Sequence, residues 1–166
     1  IDEAQLVADV DRGHSWTKAI LGLRAKEIHI CMSPAAEEVV THLIALCEDT
    51  FEVRHYERKT ALVCEQEAFV FPDDVTEGDA LITFTKRAVL DIAGRLEREG
   101  IRASVIYGSL PPEIRRRQIR LFLSHETKVV VSTDAIGMGL NLPVRRIVFI
   151  QTEKYDGIST RPLNIP

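Results

Sequence analysis

Two adjacent carboxylates open the chain, Asp2 and Glu3, with Gln5 two positions on. One acid of such a pair can hold a magnesium ion, directly or through water, while its neighbour polarises an attacking water. Hydrolysis of a nucleoside triphosphate needs that division of labour. A solvated acidic turn has the same composition. Thr85-Lys86-Arg87 offers a hydroxyl and two cations where a helix is predicted to begin, and helix N-terminal amides with a lysine suit a phosphate; a plain N-cap reads the same way. Thr133 and Asp134 follow an apolar run, and Gly137, Gly139 and Asn141 come next. Tyr107 can stack on a base or close a core, and Ser109 is placed to cap the helix after it. Arg115-Arg116-Arg117 with Arg120 makes a basic helix face. Such a run suits nucleic acid or simply solvates.

Other chemistries lack their residues. The glycine pair does not have the G-x-G-x-x-G spacing of a dinucleotide fingerprint, which disfavours a nucleotide-cofactor oxidoreductase. His14, His29, His42, His55 and His125 are scattered, with no H-E-x-x-H, and no motif surrounds a serine nucleophile. Cys31, Cys47 and Cys64 are odd in number and lack C-x-x-C spacing. They are expected to be reduced core thiols, not a disulfide framework or zinc site.

The elements that must carry these residues can be read from periodicity. Helical spacing covers Trp16–Leu23 and Ala35–Cys47, the latter with Val39, Val40, Leu43, Ile44 and Cys47 facing inward. Glu27–Cys31 and Phe51–Tyr56 alternate like strands. After a turn-rich stretch the pattern becomes regular: strand Ala80–Phe84, helix Lys86–Gly100, strand Ala103–Tyr107. A helix opened by Pro111-Pro112 then runs through Leu123, followed by strands Val129–Ser132 and Ile147–Ile150. Strands alternating with helices of about 12–15 residues predict βαβ units and an α/β fold, a parallel sheet flanked by helices with ligands at the carboxyl ends of its strands. The tail from Gln151 has no core face and is expected to be an extended excursion or hairpin.

The chain has 166 residues, enough for one full domain or for one domain plus a piece of another, and is 45% hydrophobic and 28% charged, ordinary for a globular protein. A net charge of −4 argues against a protein that coats nucleic acid, though not against a local basic groove. No apolar run approaches the roughly 20 residues a membrane helix needs. The first residue is Ile rather than Met, so the chain is expected to come from a longer protein.

In order, these segments resemble the motifs of superfamily-two helicases. Ile-Asp-Glu-Ala-Gln at 1–5 is similar to motif II, Thr83-Phe84-Thr85-Lys86 to motif IV, and the run from Ser132 to Asn141 to motif V. Trp16–Leu23, Tyr107–Pro112 and Thr133–Leu142 resemble the phrases of one DExH-type family, the RNA helicase of the mitochondrial degradosome and its bacterial relatives. The resemblance runs from Ile1 to about Phe149.

It implies two RecA-like lobes, with residues 1–60 as the tail of the first and 61–166 as most of the second. ATP would bind in the cleft between them, and single-stranded RNA (or DNA) would cross both. Asp2 would coordinate Mg2+ and Glu3 would activate water. Gln5 would sense the nucleotide and couple the lobes. Thr85, Lys86 and Thr133 would contact the nucleic-acid backbone. Gly137, Gly139 and Asn141 would border the ATP, and Asp134 would brace motif VI arginines. An exoribonuclease partner, no membrane, and a bacterial cytoplasm or mitochondrial matrix also follow. No G-x-x-x-x-G-K-[ST] loop and no arginine-rich motif VI occurs in the 166 residues, so this fragment alone is expected to be inactive. The alternative is a non-catalytic RecA-like module that binds RNA or a protein partner.

Overall fold

In the computed structural model, residues 1–57, 59–137, 141–155 and 157–163 are described. The chain divides into two compact units, Ile1–Val63 and Cys64–Pro166.

The second unit is built on a four-stranded parallel sheet. Its strands are β1 (Asp79–Ile82), β2 (Ala103–Ile106), β3 (Val129–Ser132) and β4 (Arg146–Phe149), in the order β2-β3-β1-β4. Ala80 pairs with Val130 and Ile147, and Val105 with Val131. Helix α3 (Lys86–Arg98) joins β1 to β2, and α4 (Pro112–Leu123) joins β2 to β3. The chain therefore crosses the sheet in one direction through α3 and returns through α4. Crossovers of one hand running in opposite directions must lie on opposite faces. The packing agrees. Leu81, Val129, Val131 and Val148 meet Val89, Ile92 and Leu96 of α3 on one face, whereas Ala80, Ile82, Ile106 and Val130 meet Phe122 of α4 on the other. β1 and β3 are buried along their whole length, as strands covered on both faces should be.

Polar groups fix the edges. Gln118 of α4 accepts the Val105 N–H at 2.9 Å, and Ser104 on edge strand β2 donates to the Gln118 carbonyl at 2.8 Å. At the amino edge, Asp79 and Arg146 are register partners. Arg146 Nη2 and Nε reach the two Asp79 carboxylate oxygens at 2.7 and 3.0 Å, and Nη2 also donates to the Asp74 carbonyl at 2.7 Å. Asp79 is almost completely buried, so the fork satisfies a charge that water cannot reach. The same guanidinium lies 5.3 Å from the Phe69 ring centroid and 3.2 Å from Glu65, which holds the segment before β1 against the sheet. The tail forms an antiparallel hairpin of β5 (Glu153–Tyr155) and β6 (Thr160–Pro162), as expected.

The first unit contains α1 (Gly13–Gly22) and α2 (Glu37–Leu46), with 3-10 turns at Ala4–Ala8 and Pro34–Ala36. Ala4, Ile20, Ala36 and Val40 form its core, flanked by Ile1, Val7, Trp16, Ile30, Met32, Leu43 and Ile44. Neither Glu27–Cys31 nor Phe51–Tyr56 is assigned as strand. Even so, Ile1 donates to the His29 carbonyl at 2.6 Å and its own carbonyl accepts from Cys31 at 2.9 Å, the bonding of one parallel bridge. Phe51–Tyr56 is extended without a strand partner among the described residues, and both Phe51 and Tyr56 are exposed. The cysteines do not line the core: Cys31 and Cys64 are exposed, Cys47 is half-buried, and all three are free. Cys31 follows Ile30 on an extended stretch, so the alternation that turns Ile30 inward turns its neighbour out. Val39, expected inward, is 49% exposed.

Candidate functional site

In the first unit the acidic pair sits where the chain turns from extended backbone into the Ala4–Ala8 turn. Glu3 caps that turn in the left-handed region, at φ 53°, a conformation uncommon for a residue with a Cβ. Asp2 Oδ1 accepts the Glu3 N–H at 2.9 Å, and the Asp2 carbonyl accepts the Trp16 indole N–H, also at 2.9 Å. Gln5 is the hub beside them. Its amide nitrogen donates to Glu3 Oε2, and its oxygen accepts the Ser33 N–H at 3.2 Å. The Gln5 side chain thereby ties the acidic pair to the loop that opens Pro34–Ala36. Asp2, Glu3 and Gln5 are thus brought together, with both carboxylates exposed.

In the second unit the carboxyl edge of the sheet gathers the other residues. Thr85 caps α3, its hydroxyl accepting the Ala88 N–H at 3.1 Å. The amides ahead of Ala88 in that first turn have no intrahelical acceptor. Lys86 Nζ stands 5.2 Å from the centroid of the Tyr107 ring, on the loop after β2. Arg115 of α4 holds that loop from below, donating to the carbonyls of Tyr107 and Gly108 at 3.4 and 3.0 Å. Ser109 does not cap α4. Pro111 occupies the N-cap with no side-chain bond, because the prolines begin the helix two residues later than Ser109 could reach.

Thr133 follows β3 and is buried. Its N–H goes to the Ile106 carbonyl at 3.1 Å, and its hydroxyl accepts the Ala135 N–H at 3.3 Å. Asp134 is exposed and pairs with Lys154 of β5. The Lys154 ammonium also lies 5.8 Å from the Phe84 ring, and Gln151 accepts the Phe84 N–H at 3.2 Å. Thr85, Lys86 and Thr133 therefore belong to one edge, joined there by Tyr107, Gln151 and Lys154. Sequence reasoning missed the last two, which lie in the tail. The surviving signal was a glutamine and a lysine just after the apolar run of β4.

Gly137 ends a 3-10 turn (Asp134–Gly137), and Asn141 is exposed in the connection to β4. A Cβ at Gly137 would meet nothing within 4 Å, so the chain itself does not demand glycine there. Gly139 lies outside the described residues. The basic face of α4 is divided: Arg115 is half-buried and used within the fold, whereas Arg116, Arg117 and Arg120 are exposed. Among the described residues no helix is long and apolar enough to cross a membrane.

Residues 1–56 match the DEXQ-box helicase domain of Suv3, and residues 59–159 match the helicase conserved C-terminal domain. The chain is 42% identical over 98% of its length to the mitochondrial DExH-box ATP-dependent RNA helicase DExH18 of Arabidopsis thaliana, of which it covers 22%. It is 41% identical over 90% of its length to the mitochondrial ATP-dependent RNA helicase SUPV3L1 of Homo sapiens, of which it covers 19%. It thus spans about a fifth of the length of these curated relatives. In fold, 94% of the chain aligns with 44% of S. cerevisiae Dbp5 bound to RNA and ADP BeF3, at a TM-score of 0.61 and 16% identity. The parallel sheet with helices on both faces is the RecA-like helicase fold, and the chain belongs to the superfamily-two helicases of the SUV3 type.

Proposed function

We propose that this chain is the central part of an ATP-dependent RNA helicase, with residues 1–60 closing a first RecA-like lobe and 61–166 forming most of the second. The observation that carries the reading is the presence of two built groups, one in each unit. One is an acidic pair locked by Gln5 onto Ser33; the other is a carboxyl edge where Thr85 and Lys86 open α3 and Thr133 follows the neighbouring strand β3.

The acidic pair fits magnesium of a particular kind. Asp2 Oδ1 is engaged by the Glu3 N–H, and its other oxygen is left for a ligand. Among the described residues no three His, Cys, Asp or Glu converge on one point. That donor set suits a hydrated Mg2+ held chiefly by phosphate oxygens, not an all-protein cage. Bound Mg2+–ATP supplies the polarised phosphate and the free energy of its hydrolysis. Asp2 would hold the metal, and Glu3 Oε1, opposite the oxygen engaged by Gln5, would orient the attacking water and accept its proton. Gln5 carries the state of this site to the Ser33 loop. Gly137, Gly139 and Asn141 border the nucleotide from the second lobe. Lys86 and the α3 N-terminus hold the backbone of single-stranded RNA, with Thr133 beside them.

The relatives' names favour the mitochondrial matrix over a bacterial cytoplasm, and the family resemblance extends to an exoribonuclease working beside the helicase. The test is strand separation. A full-length helicase containing this chain is expected to unwind an RNA duplex with a single-stranded overhang only when ATP and Mg2+ are present. Equal strand separation without ATP would overturn the assignment.

A further inference from the structure

One peptide unit links the α1 helix to the acidic pair. Its carbonyl end, Asp2 C=O, accepts the Trp16 indole N–H at 2.9 Å. Its amide end, Glu3 N–H, donates to the Asp2 carboxylate at 2.9 Å. A peptide is planar and stiff, so fixing one end fixes the other. If the carbonyl swung away from Trp16, the N–H would swing away from Asp2 Oδ1, and the carboxylate would lose the bond that sets its rotamer. The unit also leads into Glu3 at φ 53°, a backbone state that surrounding contacts must maintain.

The position of Trp16 is itself enforced. Gly13 begins α1, and a Cβ there would lie 2.3 Å from the Val7 carbonyl oxygen. The helix can therefore close onto the Ala4–Ala8 turn only because position 13 has no side chain. Trp16, half-buried, then packs against the Ala4, Ile20, Ala36 and Val40 core, which supports its ring from one side.

We infer that Trp16 is a positioning residue for the acidic pair, holding the Asp2–Glu3 peptide so that the Asp2 carboxylate is oriented for the metal. The inference rests on the reading of Asp2 as the metal-holding acid. Outer contacts that orient a ligand side chain typically change metal affinity by about 10–100-fold when removed.

The test uses a full-length helicase containing this chain, with Mn2+ as the probe. Binding is titrated by electron paramagnetic resonance in the presence of ADP, and thermal midpoints are recorded alongside. Trp16→Phe keeps an aromatic ring and removes the donor; its Mn2+ Kd is expected to rise about tenfold. Trp16→His restores a ring N–H and is expected to recover part of that loss. Ile20→Val, a packing change in the same core, is expected to lower the midpoint while leaving the Kd within about twofold of the parent. A Trp16→Phe Kd within about twofold, while Asp2→Asn binds more than about tenfold weaker, would overturn the inference alone. An Ile20→Val Kd raised as much as that of Trp16→Phe would also overturn it, since the effect would then be one of packing. If Asp2→Asn itself leaves Mn2+ binding unchanged, the metal-acid reading fails and takes the inference with it.

Discussion

Lys86 opens α3 and Tyr107 lies on the loop after β2, 21 positions apart in the chain, yet the lysine ammonium stands 5.2 Å from the centre of the tyrosine ring. The β1–β3–β2 order brings both to one edge, and Arg115 fixes the tyrosine's backbone there. A lysine on a flexible stem is thereby held at the start of α3, where a phosphate would meet it.

Lys86→Ala in a full-length helicase should weaken single-stranded RNA binding and reduce the slope of log K against log[salt] by about 0.7, the share of one phosphate contact on a single strand. Tyr107→Leu keeps the charge and removes the ring. It should cost about 0.5–1 kcal/mol, roughly two- to fivefold in affinity, with the slope unchanged, and Tyr107→Phe should bind like the parent. Fluorescence anisotropy at four salt concentrations separates the two effects. An unchanged slope for Lys86→Ala would remove that residue from the interface.

The Arg146–Asp79 fork belongs to the opposite edge and should matter for stability alone. Hydrogen bonding to Asp79 pushes the Arg146 guanidinium above its already high usual value, so Arg146 stays a cation. Arg146→Ala strands a buried carboxylate. It should destabilise the second unit by about 2–4 kcal/mol, somewhat below the range for a fully buried pair because Arg146 remains partly exposed. Asp79→Ala/Arg146→Ala should cost less than the sum of the single changes in denaturant melts. Strict additivity would show that the fork is not coupled.

Two glycines at the two ends of α1 should respond oppositely. Gly13→Ala drives a methyl into the Val7 carbonyl, 2.3 Å away, and should destabilise the first unit by about 1–3 kcal/mol. Gly22 has open space around it, and Gly22→Ala should stabilise by a few tenths to about 1 kcal/mol. Thermal melts of the two variants decide. A neutral Gly13→Ala would contradict the close packing on which the placement of Trp16 depends.

The 166 residues alone should bind RNA weakly and hydrolyse no ATP, since they contain no G-x-x-x-x-G-K-[ST] phosphate loop. A coupled-enzyme assay on the purified chain checks this. RNA-stimulated turnover abolished by Glu3→Gln would mean that the phosphates are held by residues other than those of such a loop.

The second unit was largely legible because its signals are local. Val129–Ser132 is an uninterrupted apolar run ending in a small polar residue, and Pro112 marks a first helical turn, so β3 and the end of α4 lie where they were expected. The first unit was less so. Alternation in Glu27–Cys31 and Phe51–Tyr56 says which side chains share a face but supplies no partner strand. The three cysteines were assigned to the core on residue type, which cannot say which face of an extended stretch is covered. Of the candidate site, the residue types were readable and their anchors were not. Trp16 with Asp2, Gln151 with Phe84 and Arg146 with Asp79 are contacts across 14, 67 and 67 positions, the first set by how α1 packs on the Ala4–Ala8 turn and the other two by the pairing of β1 with β4, not by any period in the chain.

In the proposed mechanism, Glu3 orients the water that hydrolyses ATP in an RNA-dependent helicase. Steady-state ATP hydrolysis by a full-length helicase containing this chain, with and without single-stranded RNA, tests it most directly when compared with Glu3→Gln. RNA-stimulated turnover is expected in the parent, with a loss of kcat of at least about 100-fold in the variant, the contribution of a positioned general base, and the KM for ATP little changed. Turnover in Glu3→Gln within about twofold of the parent would contradict it.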